Sequence, residues 1–188
     1  MPNWTSNTVT ISGGKFSVRK VRKILKGESD FDFNQLIPMA ETLGIECGSR
    51  TDLGLACFDQ SLFEKVRSYP WFVAEYPNVE APKQLLDTLK ETRPETVELG
   101  RQAAANVRDY GVPTWYEWRN EHWGTKWNAC EVKLEAHGAG LTYRFDTAWS
   151  APYPIAWQLH AICTELLGLS IEWTAEDEDV LEAYDVLQ

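Results

Sequence analysis

Apolar and polar residues alternate in short segments at both ends of this chain, and such alternation predicts half-buried β-strands. Residues 5–12 are rich in β-branched side chains and end at a pair of glycines. Residues 15–26 follow with the spacing of an amphipathic helix, in which apolar residues form one stripe and basic residues occupy the opposite face. The beginning of the chain therefore predicts a strand followed by a helix.

The last third of the chain repeats this arrangement with an additional strand. Residues 130–136 and 141–149 alternate on either side of a glycine-rich turn, which predicts a β-hairpin. Tyr143, Phe145 and Trp149 share the apolar register of the second arm, so we expect them to face the core. A proline-led helix and a last short strand are predicted at the positions that follow, residues 152–167 and 169–174.

A long segment, residues 28–128, separates these two regions, and its pattern is mostly helical. Two of its helices begin with proline, which suits the first turn. The segments with helical periodicity are residues 60–69, 83–91, 94–110 and 113–122. The acidic tail from Glu176 also contains spaced apolar residues, which predict that part of it is helical.

The order of these elements predicts the fold class. Strand, helix, insertion, strand, strand, helix and strand in this order predict an α+β protein with a ferredoxin-like split β-α-β antiparallel sheet. The first strand should then lie between the third and the fourth. We expect residues 1–188 to form a single domain, with residues 28–128 as a mostly helical insertion between the first helix and the second strand.

Four motifs, in order along the chain, carry a resemblance to a known family. They are MPNWTSN at the start, FDFNQLIPM from Phe31, WGTKWNA from Trp123 and FDTAWSAP from Phe145. In these motifs the chain resembles the YubB-like family, which is carried on conjugative plasmids and phages of Gram-negative bacteria. The resemblance implies a ferredoxin-like C-terminal part and a mobile-element accessory protein. It implies no activity and assigns no catalytic residues.

Tryptophans and small polar residues should meet at one end of the predicted sheet. In a split β-α-β fold the first strand begins beside the start of the second strand and the end of the third. The first helix ends at the same place, and the second helix points its N-terminus there, which favours an anion. The residues expected at this edge are Asn3, Trp4, Asp32, Asn34, Trp123, Thr125, Lys126, Trp127, Asp146, Trp149 and Ser150.

Two interpretations of this edge remain open from the sequence. Aromatic walls with a few convergent polar groups are typical of a small-molecule cleft. The same residues could instead clamp the inserted segment onto the sheet, with Lys126 paired to Asp146. The first interpretation predicts an open cavity bounded by Trp4, Trp127 and Trp149, and the second predicts that these rings are buried.

Charge is unevenly distributed along the chain, whose formal net charge is −10. Nine acids and no lysine or arginine follow Arg144, so the C-terminal region could engage a host DNA-binding protein as a nucleic-acid mimic. A protein partner is therefore our first hypothesis, and a ligand-binding or enzymatic Trp-lined cleft is the alternative. Nucleic-acid binding is not favoured, because the net charge repels phosphate. Its only candidate surface is the basic face of the first helix, formed by Lys15, Arg19, Lys20, Arg22, Lys23 and Lys26.

Catalysis, cofactors and metals have little support in the sequence. No base–nucleophile pairing and no phosphate-binding loop can be recognised, so we predict no catalytic residue and no cofactor. The four cysteines and three histidines are too scattered for a structural zinc site. No segment approaches 18 apolar residues, so we expect no membrane span and a cytoplasmic protein. The sequence does not predict the oligomeric state.

Overall fold

The computed structural model describes residues 3–176 and 178–182, which form two compact units. The first unit takes up the chain as far as Met39 and again from Arg119 onward, and contains the β-sheet. The second unit, Ala40–Trp118, is helical. We call them the sheet unit and the helical unit. Residues 28–39 and 119–128, although inside the segment expected as an insertion, belong to the sheet unit.

The protein is α+β, and its strands form one antiparallel sheet with the order β2-β3-β1-β4-β5. The strands are β1 (Trp4–Ser12), β2 (Cys130–His137), β3 (Gly140–Ala148), β4 (Ser170–Ala175) and β5 (Glu178–Asp179). The first strand lies between the third and the fourth, as the sequence predicted. The first four strands agree with the predicted segments to within one residue at each end.

The acidic tail begins with a short fifth strand that the sequence did not predict, and the helix predicted within the tail falls mostly outside the described residues. Glu178 and Asp179 pair with the end of β4. Val180 follows them, is buried, and donates its backbone N–H to the carbonyl oxygen of Trp173 at 2.9 Å. Burial of this one apolar side chain fixes the start of the tail along the sheet edge. The rest of the predicted acidic tail, residues 183–188, lies outside the described residues, as does residue 177.

The helices follow the predicted periodicity closely. In chain order they are α1 (Lys15–Leu25), α2 (Ser49–Leu55), α3 (Gln60–Arg67), α4 (Pro70–Glu75), α5 (Pro82–Thr92), α6 (Pro94–Tyr110), α7 (Trp115–His122) and α8 (Tyr153–Ala161). Helix α8 continues into a π-helical turn at Ile162–Leu166. The sequence missed α2 and α4, because helices of seven and six residues are too short to establish a period.

The core of the sheet unit is an aromatic cluster centred on Phe31. Its ring lies 4.8 Å from that of Phe145, 5.1 Å from that of Tyr143 and 5.9 Å from that of Trp173. Phe31 comes from the loop after α1, and Phe33 of the same loop is equally buried. Burial raises the pKa of the Tyr143 phenol to about 12. The alternating FDF motif therefore directs two phenylalanine rings onto the sheet and, with them, the loop that carries Asp32.

The helical unit has a hydrophobic core of its own. Its members come from α2, α3, α4, α5 and α6, and they include Leu53, Phe63, Val66, Phe72, Leu85, Leu89 and Val97. Helices α2 and α6 cross at Gly54 and Gly100, where a Cβ on Gly100 would lie 2.0 Å from the carbonyl carbon of Gly54. Only glycine permits this approach, which joins the last turn of α2 to the second turn of α6.

The sheet face that points away from the aromatic core is charged, as the sequence predicted. Lys133, Arg144 and Glu172 are exposed there, and Arg144 pairs with Glu135 at 3.1 Å. RNA-recognition sheets stack bases on aromatic side chains of the open face. The exposed side chains of this face are instead mostly charged or polar.

Within residues 3–176 and 178–182, no helix combines the length and apolar character needed to span a bilayer.

Candidate functional site

The predicted motifs meet at the sheet end formed by the start of β1 and the end of β3. Trp4 pairs in register with Ala148, and Trp149 follows directly. The backbone N–H of Trp149 donates to the carbonyl oxygen of Asn3 at 2.9 Å. The Thr125 hydroxyl donates to the carbonyl oxygen of Ala148 at 2.9 Å and accepts from the Ala148 N–H at 3.1 Å. Three separate parts of the chain therefore arrive at one edge.

Trp123 belongs to the buried part of this edge. Its side chain is fully buried, and its indole N–H donates to the carbonyl oxygen of Ile37 at 2.9 Å. The Phe33 ring meets it edge-on at 5.7 Å, and the Arg119 guanidinium lies 4.8 Å from the ring centre. Burial lowers the pKa of Arg119. An indole that is enclosed and hydrogen-bonded in this way has a structural role.

Asp32 is also a structural residue at this edge. It is almost fully buried, and its carboxylate accepts hydrogen bonds from the backbone N–H groups of Glu28 and Asn34 and from the side chain of Asn128. Asn128 in turn accepts from the Phe33 N–H at 2.9 Å. These bonds join the loop after α1 to the segment before β2. Asn34 acts locally, since its side-chain oxygen accepts from the Met39 N–H.

The exposed part of the edge is a cluster of three indoles around one lysine. We call Trp4, Lys126, Trp127 and Trp149 the Trp patch. The rings of Trp4 and Trp127 are 5.5 Å apart, and the Lys126 ammonium lies 4.9 Å from the Trp127 ring and 5.6 Å from the Trp149 ring. Trp4 is 45% exposed and Trp149 is 50% exposed. Exposed aromatic side chains grouped in this way are typical of binding surfaces.

Trp149 corrects the prediction that it faces the core with Tyr143 and Phe145. Strand β3 ends at Ala148, and Trp149 takes a left-handed backbone conformation with φ of 73°. This turn directs the indole away from the inward register. A bulky residue in this conformation costs about 1–3 kcal/mol and persists only where neighbouring bonds hold it. The bond to Asn3 holds it here, together with a bond from the Ser150 hydroxyl to the carbonyl oxygen of Gly124 at 2.7 Å.

Asp146 points to the charged face of the sheet. Its carboxylate accepts a hydrogen bond from the Ser6 hydroxyl at 2.8 Å. It also lines a depression of about 280 Å³ on that face, together with Lys133 and Arg144. The Lys126 ammonium lies over two indole rings of the Trp patch. The predicted edge residues thus divide among a buried group, the Trp patch and the charged face.

The expected anion site at the start of α8 has unfavourable surroundings. A cavity of about 230 Å³ lies there, lined by Ser150 and Tyr153. Glu176 and Glu178 also line this cavity. Two carboxylates oppose the attraction that the helix start would exert on an anion.

The basic face of α1 is exposed throughout. Lys15, Arg19, Lys20, Arg22, Lys23 and Lys26 all lie on the surface. Phe16, which the sequence analysis did not single out, is 82% exposed among them. It lines a shallow cavity of about 250 Å³ with Arg19, Lys20 and Lys23. Lys26 forms a long contact with Asp30 at 4.0 Å.

Burial keeps the thiols of the core in their neutral forms. Burial raises the pKa of the Cys57 thiol to about 11 and that of the Cys163 thiol to about 12. Burial and the nearby Asp146 raise the pKa of Cys130. Neutral thiols are poor nucleophiles. In the part of the chain that the structure describes, no three His, Cys, Asp or Glu side chains are grouped to hold a metal ion.

Two features of the described residues were missed from the sequence. Asn7 is buried in β1, where its side chain donates to Thr147 at 2.9 Å and accepts from the Trp173 indole at 3.1 Å. Its position in the inward register of β1 was the available signal. The second is a cavity of about 480 Å³ in the helical unit. Its residues come from helices far apart in sequence, so no local pattern indicates it.

No protein-family model matches the chain, and no curated protein matches it. Among solved structures, the chain is similar to the crystal structure of protein api92 from Yersinia pseudotuberculosis, which is described as DUF1281. The two chains share 11% sequence identity with a TM-score of 0.44, and the match covers 94% of this chain and 90% of that chain. At this TM-score the likeness establishes neither a family nor an activity.

Proposed function

We propose that this protein acts by binding another protein through the Trp patch. The observation that carries the proposal is Trp149, whose indole is half exposed although its backbone is held in a costly left-handed conformation. Strain of this kind persists where it positions a side chain for use. Trp4 and Trp127 extend the same surface. Tryptophan is enriched among the residues that dominate protein–protein binding energy.

The charge of the chain favours a basic partner. A formal net charge of −10 attracts basic proteins and repels nucleic acid at long range. Among the described tail residues, Glu176, Glu178, Asp179 and Glu182 are exposed. We infer that the partner is a host protein that normally binds DNA. The Trp patch would supply the apolar anchor, and the acidic C-terminal region would imitate a nucleic acid.

The same proposal places the chain among YubB-like accessory proteins of plasmids or phages, working in the cytoplasm. The motifs around Trp4, Phe31, Trp123 and Phe145 support this resemblance. We further propose that the sheet is a ferredoxin-like split β-α-β with a mostly helical insertion. The strand order β2-β3-β1-β4, with β1 antiparallel to both of its neighbours, supports this topology.

The experiment is a quantitative pull-down from bacterial lysate with matched tryptophan variants. Proteins retained by the wild type should fall at least tenfold with Trp149→Ala and with Trp4→Ala. Tyr110→Ala is the control, because Tyr110 is exposed to a similar degree and belongs to the helical unit. Retention of the same proteins by all three variants would exclude the Trp patch as the binding surface.

The contribution of the acidic region needs neutralising substitutions instead of a truncation. Removing residues 176–188 would also remove β5 and the buried Val180. Glu176→Gln, Glu178→Gln and Glu182→Gln together remove three charges and leave Asp179, which accepts from the Leu181 N–H. We expect weaker binding and a smaller salt dependence. An unchanged salt dependence would exclude nucleic-acid mimicry by these residues.

The second candidate function is nucleic-acid binding through the basic face of α1. Phe16 favours it, because an exposed aromatic ring beside Arg19, Lys20 and Lys23 can stack on a base while the cations contact phosphates. Fluorescence anisotropy with labelled single-stranded DNA and RNA tests it. Lys20→Gln and Phe16→Ala should each weaken any binding, whereas Trp149→Ala should not. No binding at low salt would rule this function out.

The small-molecule or enzymatic alternative concerns the same edge as the protein partner. The exposure of Trp4 and Trp149 favours an open surface over an enclosed cleft. A metabolite and nucleotide screen, followed by indole fluorescence, tests this alternative directly. Quenching by one compound class that is lost in Trp149→Ala, with folding intact, would favour a ligand over a protein partner.

A further inference from the structure

The two outer strands of the sheet differ in how well they are protected. Strand β5 has two residues, both acidic, and forms one edge. Strand β2 has eight residues, contains no proline and forms the other edge. An outer strand presents unpaired backbone N–H and C=O groups to which a further strand can bond, and proteins usually shorten or cover such an edge. The β2 edge is therefore the candidate surface for pairing with another strand.

Alternate residues of β2 direct their backbone groups toward this open edge. His137 and Gly140 close the two-residue turn of the hairpin, and in such a turn the closing pair is hydrogen-bonded. Because hydrogen-bonded and non-hydrogen-bonded pairs alternate, Lys133 and Glu135 also bond to β3. The residues between them direct their N–H and C=O groups away from β3. These residues are Val132, Leu134 and Ala136.

The side chains of β2 suit such a pairing on both faces of the sheet. On the face of the aromatic core, Val132 and Leu134 are only half-buried and Ala136 is exposed. On the charged face, Lys133 and Glu135 are exposed. None of the ion pairs among residues 3–176 and 178–182 involves Lys133. A neighbouring strand would cover the apolar row and bring Lys133 a carboxylate, provided that its charges match.

A second copy of this chain offers a strand with matching charges. Two copies related by a twofold axis pair β2 with β2 in antiparallel fashion, and each register places one residue opposite itself. With Leu134 on the axis, Lys133 lies opposite Glu135 of the second copy, and the reverse contact follows from the symmetry. These positions are not hydrogen-bonded across the axis, so their facing side chains approach most closely. Both contacts are attractive.

The neighbouring registers bring like charges together. With Lys133 on the axis the two ammonium groups of this residue face each other, and with Glu135 on the axis the two carboxylates do. Like charges directly opposite destabilise a strand pair. Registers shifted further run into the bulge between Cys130 and Lys133 or past the turn after His137. The order of charges along β2 therefore selects one register, in which the edge is complementary to itself.

We propose that two copies of this chain associate through β2 and form one continuous antiparallel sheet. Val132, Leu134 and Ala136 exchange backbone hydrogen bonds across the twofold axis, and their side chains form a joint apolar row. A single pair of strands buries less surface than the about 1,200–2,000 Å² of a stable interface, so the dimer is weak and forms in proportion to concentration. It uses no residue of the Trp patch, so it stands or fails independently of the proposed partner binding.

The first test is analytical ultracentrifugation of the full chain over a range of concentrations. We expect a reversible equilibrium in which the mass rises from 21.5 kDa toward twice that value. Lys133→Glu and Glu135→Lys should each weaken dimerisation at least tenfold, because each places like charges opposite one another. Arg67→Glu and Glu172→Lys are the controls, since they make the same changes of net charge at exposed positions outside β2.

Mixing the two charge-reversed chains separates pairing from any general effect of the substitutions. The Lys133→Glu chain has two acids at the paired positions and the Glu135→Lys chain has two bases, so a mixed pair has opposite charges at both contacts. The mixed dimer should be at least tenfold tighter than the dimer of either variant alone, whereas the mixed controls should show no gain. A wild type that stays monomeric at millimolar concentration, or a mixture no tighter than its components, would overturn the proposal.

Amide hydrogen exchange measured by NMR locates the interface residue by residue. The N–H groups of Val132, Leu134 and Ala136 should exchange more slowly as the protein concentration rises, because they become hydrogen-bonded only in the dimer. Those of Lys133 and Glu135 bond to β3 in either state, so their protection should not depend on concentration. Dimerisation without this alternation would place the contact elsewhere on the molecule and would also overturn the proposal.

Discussion

Trp123 and Trp149 lie at the same edge of the sheet, yet their surroundings assign them opposite roles. Trp123 is fully enclosed, and its indole N–H bonds to a backbone carbonyl oxygen. Trp149 is half exposed, and it is held there by its backbone N–H and a left-handed turn. The hydrogen bonds around Trp123 stabilise the ring itself. Those around Trp149 hold the main chain and leave the ring available.

This difference separates stability from binding within one edge. Removing an enclosed ring leaves a void and an unpaired carbonyl group, which destabilises the folded state. Removing an exposed ring costs few contacts, so its loss should appear in partner affinity. If the comparison is right, the two kinds of variant should differ clearly in their free energy of unfolding.

The largest expected effect is that of Trp123→Ala. Loss of a buried aromatic ring typically costs about 3–5 kcal/mol of unfolding free energy. Trp149→Ala should cost under about 1 kcal/mol, because half of the ring is already in solvent. Urea unfolding followed by circular dichroism measures both. Equal destabilisation by the two variants would break the comparison.

The next largest effect is expected at Asp32, which secures the buried part of the edge. Asp32→Ala removes the acceptor of three hydrogen bonds and leaves buried donors without a partner. We expect a loss of about 2–4 kcal/mol in unfolding free energy. Asp30→Ala is the matched control, since Asp30 is only partly buried and its contact with Lys26 is long. A small effect at Asp32 would mean that this part of the edge has another anchor.

The sequence predicted the elements of the sheet unit because its strands alternate over several residues and its helices have apolar stripes. Val9 and Ile11 in β1, and Tyr143 and Phe145 in β3, alternate with polar residues. This alternation predicted that all four side chains point to the buried face of the sheet. The neighbours of β1 in the sheet followed from the order of the elements.

The roles of the edge residues could not be predicted in the same way. Periodicity placed Trp149 in the inward register, but a single left-handed residue after Ala148 reversed its direction. Period-2 patterns contain no information about where a strand stops. The partners of Asp32 and Trp123 are distant in the chain, so only the folded structure separates a buried tryptophan from an exposed one.

An effect of intermediate size on the unfolding temperature is expected at alkaline pH. It should come from the titration of buried groups. Burial raises the pKa of Tyr143 and that of Cys163 to about 12, so the folded chain retains protons that the unfolded chain loses near pH 8.5–10. The stabilisation is therefore complete below about pH 8 and is lost as the pH rises toward 12. Unfolding temperatures measured from pH 7 to pH 11 should be level at first and then fall.

Cysteine variants assign part of this alkaline effect to one thiol. Cys163→Ala should make the decline above pH 9 less steep, because one buried titrating group is gone. Cys47→Ala is the control substitution, because Cys47 is exposed. Identical profiles for wild type and Cys163→Ala would mean that the Cys163 thiol does not titrate with unfolding.

The smallest expected effect is at position 149. There the glycine variant should be more stable than the alanine variant, which reverses the usual order of stability. The φ of 73° at Trp149 suits glycine and disfavours alanine, so Trp149→Gly should be more stable than Trp149→Ala by about 1 kcal/mol. Position 127 is the control, because the backbone of Trp127, a described residue, does not have a positive φ. There Trp127→Gly should be less stable than Trp127→Ala by about 0.5–1 kcal/mol.

Binding measured on the same position-149 variants then connects strain to function. Trp149→Gly should lie within about 1 kcal/mol of the wild type in stability, since relief of the backbone strain offsets the lost contact with Lys126. It should nevertheless lose the partner as completely as Trp149→Ala, because both variants lack the indole. If the glycine and alanine variants have the same order of stability at positions 127 and 149, the backbone of Trp149 stores no strain. Retained binding in both position-149 variants would place the anchor of the Trp patch on Trp4 or Trp127.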